Sequence, residues 1–228
     1  MCLSAEGDLV AGVVVLAIGI DACRHLEGRR EYLFVAGLPL LLGVHQIVEA
    51  FVWWGLQGHV PERLGEVAMW AYLLVAFVAL PALVPALVHR IEPDATRRRW
   101  IVPFVVLGTA VGAWLLVAMA RTAPTAELGD FHVAYSVGLE HTVVVVGLYV
   151  IATCGAMLAS TLRPVRWFGV ANLVAVVVLA RLSADGFASL WCFYAALASA
   201  AIAVHLRVTG PAAVDQVPSG DPGGRHGP

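Results

Sequence analysis

Lysine is absent from this chain of 228 residues, whose fourteen basic residues are all arginines. A retinal pigment and a pyridoxal-phosphate enzyme both bind their cofactor through a lysine Schiff base, so the sequence excludes retinal and pyridoxal phosphate. The formal net charge is −2, and the sequence presents no basic face that would match a phosphate backbone. We therefore expect no nucleic acid among the partners of this protein.

Charged residues of either sign are scarce, at 13% of the chain, whereas 60% of the residues are hydrophobic and the mean hydropathy is +0.84. A soluble domain usually carries charges on about a quarter of its residues, because its surface must be hydrated. Here the charges cluster between long apolar stretches. This composition predicts an integral membrane protein whose main partner is the lipid bilayer.

Seven apolar stretches approach the length of about 20 residues that a helix needs to cross the hydrocarbon core. Backbone polar groups must be paired within lipid, so these stretches are predicted to be helices. We therefore expect an all-α fold, a bundle of seven transmembrane helices. The predicted spans are Leu9 to Leu26, Leu33 to Leu56, Val67 to His89, Trp100 to Ala120, Val137 to Leu162, Val165 to Leu182 and Phe187 to Val208.

The arginines indicate the orientation of these spans, because cytoplasmic loops are enriched in basic residues. One set of alternate connections, with the C-terminal tail, contains Arg24, Arg29, Arg30, Arg90, Arg97, Arg98, Arg99, Arg163, Arg166, Arg207 and Arg225. The other set contains only Arg63, Arg121 and Arg181. The N-terminus is therefore predicted to lie outside and the C-terminus in the cytoplasm.

The domain organisation follows from this topology. Residues 1–208 are predicted to form the membrane domain, and residues 209–228, rich in Gly and Pro, a disordered cytoplasmic tail. Abundant Ala, Val and Gly with Arg in place of Lys are typical of a GC-rich bacterial genome. The plasma (inner) membrane of a bacterium is therefore the expected location.

The second span carries ionisable side chains at membrane depth, where they are costly and often functional. His45, Glu49 and Trp53 are spaced at i, i+4 and i+8 along one helix face, with Gln46 beside them. Glu49 is the candidate general acid or base. The alternative is that His45 and Glu49 form a structural hydrogen-bonded pair that joins helices.

Other polar groups are predicted at a similar depth in the outer half of the bundle. Glu140 and His141 would lie in the first two turns of the fifth span, although the headgroup zone would equally solvate them. The expected ligand-binding residues are His45, Gln46, Glu49, Trp53, His132, Tyr135, Trp191 and Cys192. The metal candidates are Cys2, Glu49, His132, His141 and Cys192, a set of thiolates, imidazoles and a carboxylate suited to Zn or Cu. A disulfide between Cys2 and Cys192 is the alternative to a metal.

Several residues are interpreted as structural. Pro81 and Pro85 are expected to kink the third span. Gly108 and Gly112 form a Gly-x-x-x-Gly motif, which favours close packing within the chain over a dimer interface. The oligomeric state is left open. Trp53, Trp54, Trp70, Trp100 and Trp167 are predicted to anchor the span ends at the membrane interface.

Three separated segments carry a family resemblance: Met1 to Ser4, His45 to Glu49 followed by Trp53, and Trp191 to Ala196. The chain resembles an uncharacterised family of bacterial multi-pass membrane proteins. Its members begin Met-Cys-Phe-Ser, carry Gln-Gln-x-x-Glu in the second span and have Trp-Cys-Phe-Phe-Ala-Ala in the last.

The resemblance implies a fold but no activity. A His-x-x-Tyr of the family matches His132 and Tyr135, and Cys2, Glu49 and Cys192 match as well. Leu3 replaces an aromatic residue and His45 replaces a glutamine, which weakens the case for His45 as an obligatory metal ligand.

These residues leave three functions open. The first is a small-ligand or metal-binding bundle, a sensor, with its site in the extracytoplasmic half and a small molecule or lipid as ligand. The second is a membrane-embedded metal-dependent hydrolase or other enzyme acting on a lipid, with Glu49 as acid or base. The sequence contains no His-Glu-x-x-His or Gly-x-Ser-x-Gly motif. The third, a transporter, is disfavoured because the inner halves of the spans are almost wholly apolar.

Overall fold

The computed structural model describes residues 4–24, 33–129, 132–139 and 141–182, with the single positions 194, 196, 198 and 200. Within these residues the chain is mostly helical. The helices are α1 (Ala5–Arg24), α2 (Leu33–Leu56), α3 (Glu62–Ile91), α4 (Ala95–Thr122), α5 (Thr142–Ala159) and α6 (Arg163–Leu182), and two strands are β1 (Thr125–Leu128) and β2 (Val133–Ser136).

Among the described residues, four helices are long and apolar enough to cross a membrane. They are Gly37–Leu56 of α2, the whole of α3, α4 and α5. The predicted seventh span lies outside the described residues except for Tyr194, Ala196, Ala198 and Ala200, whose backbone is helical. The predicted tail of residues 209–228 also lies outside them.

The connection between α4 and α5 corrects the expectation of an all-α fold. Strands β1 and β2 form an antiparallel hairpin in which Ala126 pairs with Tyr135, and the Gly129 N–H donates to the His132 carbonyl across its loop at 2.9 Å. Val133 is fully buried and Ser136 is exposed, so the strand alternation turns one face toward the bundle. An apolar strand face of this kind resembles the start of a span in sequence.

Helix α5 consequently begins at Thr142 and not at the predicted Val137. Gly138 has a φ of +61°, a conformation that glycine adopts without steric cost, and it ends the extended segment before the helix. His141 is the exposed N-cap residue of α5, so it does not lie within the first two turns as predicted. Glu140 is outside the described residues.

The two ends of the bundle have different contents. Ala5 of α1, Trp53 of α2 and Val133 of β2 belong to one buried cluster, which places the start of α1, the end of α2 and the hairpin together. We call this the hairpin end. The opposite end contains the α3–α4 connection at residues 92–94 and the α5–α6 connection at residues 160–162, and we call it the clasp end.

Glycines allow the helices of the bundle to approach closely. A Cβ atom at Gly12 would lie 2.8 Å from the Gly43 carbonyl oxygen, where α1 packs antiparallel to α2. A Cβ atom at Gly112 would lie 2.6 Å from the Val78 carbonyl oxygen, where α4 packs against α3. The Gly108-x-x-x-Gly112 motif therefore packs within the chain, as the sequence indicated.

A π-helical segment, Leu74–Ala79, interrupts α3 just before the two prolines that were expected to kink it. The Leu80 N–H donates to the Val75 carbonyl, so the next carbonyl, of Ala76, would require an N–H from residue 81. Residue 81 is proline and has none. The Tyr149 hydroxyl of α5 donates to the Ala76 carbonyl instead, at 2.9 Å, and α5 thus stabilises the interrupted helix.

Candidate functional site

The polar residues predicted on α2 are buried inside the bundle. The exposed fractions are 2% for His45 and 0% for both Gln46 and Glu49. Trp53 is 5% exposed and belongs to the core at the hairpin end, so the prediction that it anchors the membrane interface is wrong. Trp100 and Trp167, by contrast, are exposed at the clasp end. The polar face of α2 therefore points toward other helices.

An aromatic stack connects this face of α2 to α3 and to the hairpin. The rings of His45 and Tyr72 are 4.0 Å apart and inclined by 25°. Tyr72 in turn stacks on Tyr135 of β2, with ring centroids 4.7 Å apart and an angle of 17°. Strand alternation directs Tyr135 to the same side as the buried Val133, which is how the hairpin contributes a ring to the stack.

Tyr135 also contacts Glu49, so the structure brings together two residues predicted for one site. The Tyr135 hydroxyl donates to Glu49 Oε1 at 3.4 Å across 86 positions of sequence. A carboxylate at this depth is costly to charge, and a phenolic donor is one of the groups that stabilises it. Helix α2, helix α3 and the hairpin thus meet around Glu49.

His45 does not pair with Glu49, contrary to the structural alternative. Its Nε2 is 3.0 Å from the Tyr72 carbonyl oxygen, and its Nδ1 has no hydrogen-bond partner among the described residues. Trp53 Nε1, two helical turns further along, is likewise buried without a partner in the described part of the chain. Within the described part of the chain, two polar atoms on one face of α2 are therefore unsatisfied, which is unusual for a native protein interior.

Asp8 of α1 is a buried polar residue at this end that the sequence reasoning missed, with an exposed fraction of 0%. The buried positions of α1 recur every three or four residues, at Ala5, Asp8, Gly12, Val15 and Gly19. This period is typical of a helix face packed on a neighbour. Because the small residues mark the face against α2, their spacing is the sequence signal that could have identified Asp8 as buried.

The other predicted site residues are divided between the hairpin and the undescribed segments. His132 is half-buried in the hairpin loop, where its ring lies against Gly129, and His141 is exposed at the start of α5. Cys2, Trp191 and Cys192 lie outside the described residues. Within the described residues no three His, Cys, Asp or Glu side chains are placed to hold a metal ion. The metal site therefore stays a prediction.

Glu92, at the clasp end, is a second buried carboxylate that the sequence reasoning missed. It is fully buried and accepts hydrogen bonds from the Ser160 hydroxyl at 2.7 Å, the Thr161 N–H at 2.9 Å and the Asp94 N–H at 3.3 Å. The Thr161 hydroxyl donates to it as well. Arg98 donates to the Glu92 carbonyl at 2.7 Å. Glu92 thus joins the α3–α4 and α5–α6 connections.

These hydrogen bonds change the acidity of Glu92, which lies outside the four helices that are long and apolar enough to cross a membrane. Burial alone would raise its pKa, but the donors from Thr161, Ser160 and Asp94 outweigh that effect and lower the pKa below the ordinary value. Glu92 is therefore a charged, fully satisfied side chain. This arrangement indicates a structural role, which distinguishes it from the partly unsatisfied group around His45.

The family model described as "Family of unknown function (DUF6629)" matches residues 1–216 of the chain. The chain belongs to this family. The DUF6629 match covers every predicted site residue, including Cys2 and Cys192. No curated protein and no solved structure matches the chain. The family description assigns no activity, so the function must be argued from the site.

Proposed function

We propose that this DUF6629 chain is a seven-helix membrane protein that binds a small ligand at the hairpin end of its bundle, as a sensor. The four apolar helices support a membrane location. Helices α1 and α6 and the predicted span Phe187 to Val208 complete the seven. The plasma membrane of a bacterium is the proposed location, with the hairpin end facing outside.

The orientation is supported by the arginines at the two ends. Among the described residues, the hairpin end contains Arg63, Arg121 and Arg181. The clasp end contains Arg24, Arg90, Arg97, Arg98, Arg99, Arg163 and Arg166. Since basic residues accumulate on the cytoplasmic side, the clasp end is proposed to lie in the cytoplasm and the hairpin end outside.

Accessibility of an introduced cysteine tests this orientation. We expect a membrane-impermeant maleimide to label Glu127→Cys, in the hairpin, on intact cells. Arg99→Cys, at the clasp end, should be labelled only after the membrane is opened. The measurement is the amount of maleimide label on each variant minus the amount on the parent chain, which corrects for labelling of the native cysteines. Labelling of Arg99→Cys on intact cells would reverse the proposed orientation.

The observation that carries the binding proposal is the buried Glu49 in contact with Tyr135. Two segments that are far apart in sequence place a carboxylate and a phenol at hydrogen-bonding distance. Tyr72 of α3, stacked on Tyr135, brings a third segment into the group. Buried polar side chains at membrane depth are costly, which favours a function in binding over an incidental placement. The hairpin contributes Tyr135 to this group, at the end of the bundle that is proposed to face outside.

A Zn or Cu ion is the metal form of the same proposal. It would require thiolates from Cys2 and Cys192 together with Glu49, His132 or His141. These donor types suit Zn and Cu. Elemental analysis of the purified protein, with and without a Cys2→Ser replacement, distinguishes a metal ligand from an organic one.

The binding proposal predicts that Glu49→Gln and Tyr135→Phe lose a ligand that co-purifies with the protein. We expect an organic molecule or a metal at near-stoichiometric amount in the parent protein. Its occupancy should fall at least about tenfold in Glu49→Gln, because a hydrogen bond to a charged group contributes about 1.5–3 kcal/mol. Mass spectrometry of the extracted ligand and elemental analysis are the measurements.

Glu66→Gln is the matched control, since Glu66 is exposed on α3 and undergoes the same chemical change. Tyr135→Phe keeps the ring in the stack and removes only the hydroxyl, so it separates a binding defect from a folding defect. Equal occupancy in the parent protein, Glu49→Gln and Tyr135→Phe would contradict the proposal.

A further inference from the structure

The hydrogen bond of His45 fixes which of its ring nitrogens carries the proton. Its partner is the backbone carbonyl oxygen of Tyr72, 3.0 Å from Nε2, and a carbonyl oxygen can only accept. Nε2 must therefore be the donor. In the neutral imidazole the other nitrogen, Nδ1, then presents a lone pair.

That lone pair lies in the protein interior. His45 is 2% exposed, and its Nδ1 has no hydrogen-bond partner among the described residues. An unsatisfied buried acceptor destabilises the folded state, so native structures retain few of them unless a ligand, ion or water completes the group. The ring cannot turn to relieve this cost without breaking the bond to Tyr72.

Trp53 offers the complementary group on the same face of α2. Its Nε1–H is buried and has no acceptor in the described part of the chain. The residue is eight positions beyond His45, about 12 Å along the helix axis, with Glu49 between them. As far as the described residues extend, one face of α2 thus carries an unsatisfied acceptor and an unsatisfied donor, and apolar and aromatic side chains pack around both residues.

We infer that the ligand of this site is an apolar molecule with a hydroxyl group that donates to His45 Nδ1 and a second oxygen that accepts from Trp53 Nε1. The inference rests on the proposed function and specifies the class of ligand, a hydroxylated lipid-like compound. A hydroxyl group suits Nδ1 because it supplies a donor without introducing a charge into the bundle.

The tautomer is tested first, without any ligand from cells. In protein labelled with ¹⁵N-histidine, the nitrogen resonances of His45, assigned by their loss in His45→Gln, should report a neutral ring protonated at Nε2. A proton on Nδ1, or on both nitrogens, at neutral pH would overturn the inference. This measurement does not depend on whether the protein binds a ligand in its native membrane.

The ligand class is tested with a matched pair of probes, decanediol with a hydroxyl at each end and its dimethyl ether. Both carry oxygens that accept from Trp53, but only the diol donates to His45. We expect the diol to bind about tenfold more tightly and to shift the Nδ1 resonance of His45. Equal binding of both probes, or binding of neither, would overturn the inference.

Two variants identify the nitrogen as the source of this preference. Glutamine retains one donor and one acceptor, so His45→Gln should keep the preference for the diol. His45→Phe keeps a ring against Tyr72 but has neither group, and it should bind both probes equally. If co-purified ligand is lost in Glu49→Gln while the diol shows no preference, the proposed function stands and the inference about His45 fails.

Discussion

Replacement of Gly108 by alanine is expected to destabilise the bundle more than the same replacement at any other glycine that the structure describes. A Cβ atom at this position would overlap the backbone carbonyl oxygen of Pro81 and would also press on the Pro85 ring. Neither neighbour is the flexible end of a side chain, so α4 must move away from α3. Overpacking of this kind costs about 1–3 kcal/mol, and we expect the upper part of that range. Thermal unfolding in detergent is the measurement.

Gly147→Ala in α5 is the matched control. Among the described residues, no atom lies within 4 Å of a Cβ atom built at Gly147, so the added methyl group meets none of them. Alanine is a better helix former than glycine by about 1 kcal/mol, and this variant should be neutral or more stable. If Gly108→Ala unfolds at the same temperature as the parent, α3 and α4 are not packed through this glycine.

Replacement of Glu92 by alanine is expected to destabilise the clasp end by about 2 kcal/mol, because the buried Ser160 hydroxyl and its neighbours lose their acceptor. Glu92→Gln should also lose stability, since its amide N–H₂ group would face donors. Glu66→Ala, at an exposed carboxylate of α3, should change the unfolding temperature little. Equal unfolding temperatures for Glu92→Ala and Glu66→Ala would contradict the role assigned to Glu92.

The acidity of Glu92 gives the same prediction a pH dependence. Because its pKa is lower in the folded protein, the carboxylate contributes stability above its ordinary pKa of 4.5. That contribution is lost as the pH falls from this value through the lower pKa of the folded state. The parent protein should therefore lose stability in this acidic range more steeply than Glu92→Gln. Parallel pH profiles for the two proteins would contradict the prediction.

The positions of the membrane helices follow largely from the apolar stretches, and their ends depend on other residues. Helix α2 has the predicted limits, Leu33–Leu56. Helix α4 begins five residues before the predicted Trp100, at Ala95, because the Asp94 side chain accepts from the Arg97 N–H at 2.6 Å and caps the helix. Hydropathy measures the length of chain that suits lipid, whereas capping groups determine where the helix starts.

The candidate site could be predicted only in part. Glu49 was selected because polar residues at membrane depth are costly, and Tyr135 because it lies in an outer segment and matches the family's His-x-x-Tyr. The structure places the two in contact. Asp8 was missed because its position at the start of an apolar stretch resembles an ordinary span boundary. Glu92 was missed because a single acid in an arginine-rich connection resembles a solvated loop residue. The sequence position of Glu92 does not reveal burial, and that of Asp8 does so only through the spacing of the small residues of α1.

By itself, the sequence of this DUF6629 chain determined the membrane-like composition, the apolar helices and the polar face of α2, since these depend on residue types and their spacing along one element. The tertiary structure decided which atoms meet. It directed His45 to the Tyr72 carbonyl instead of Glu49, folded the segment before α5 into a hairpin, and joined Glu92 to Ser160. Contacts of this kind depend on how separate helices and loops pack, and no local pattern encodes that packing.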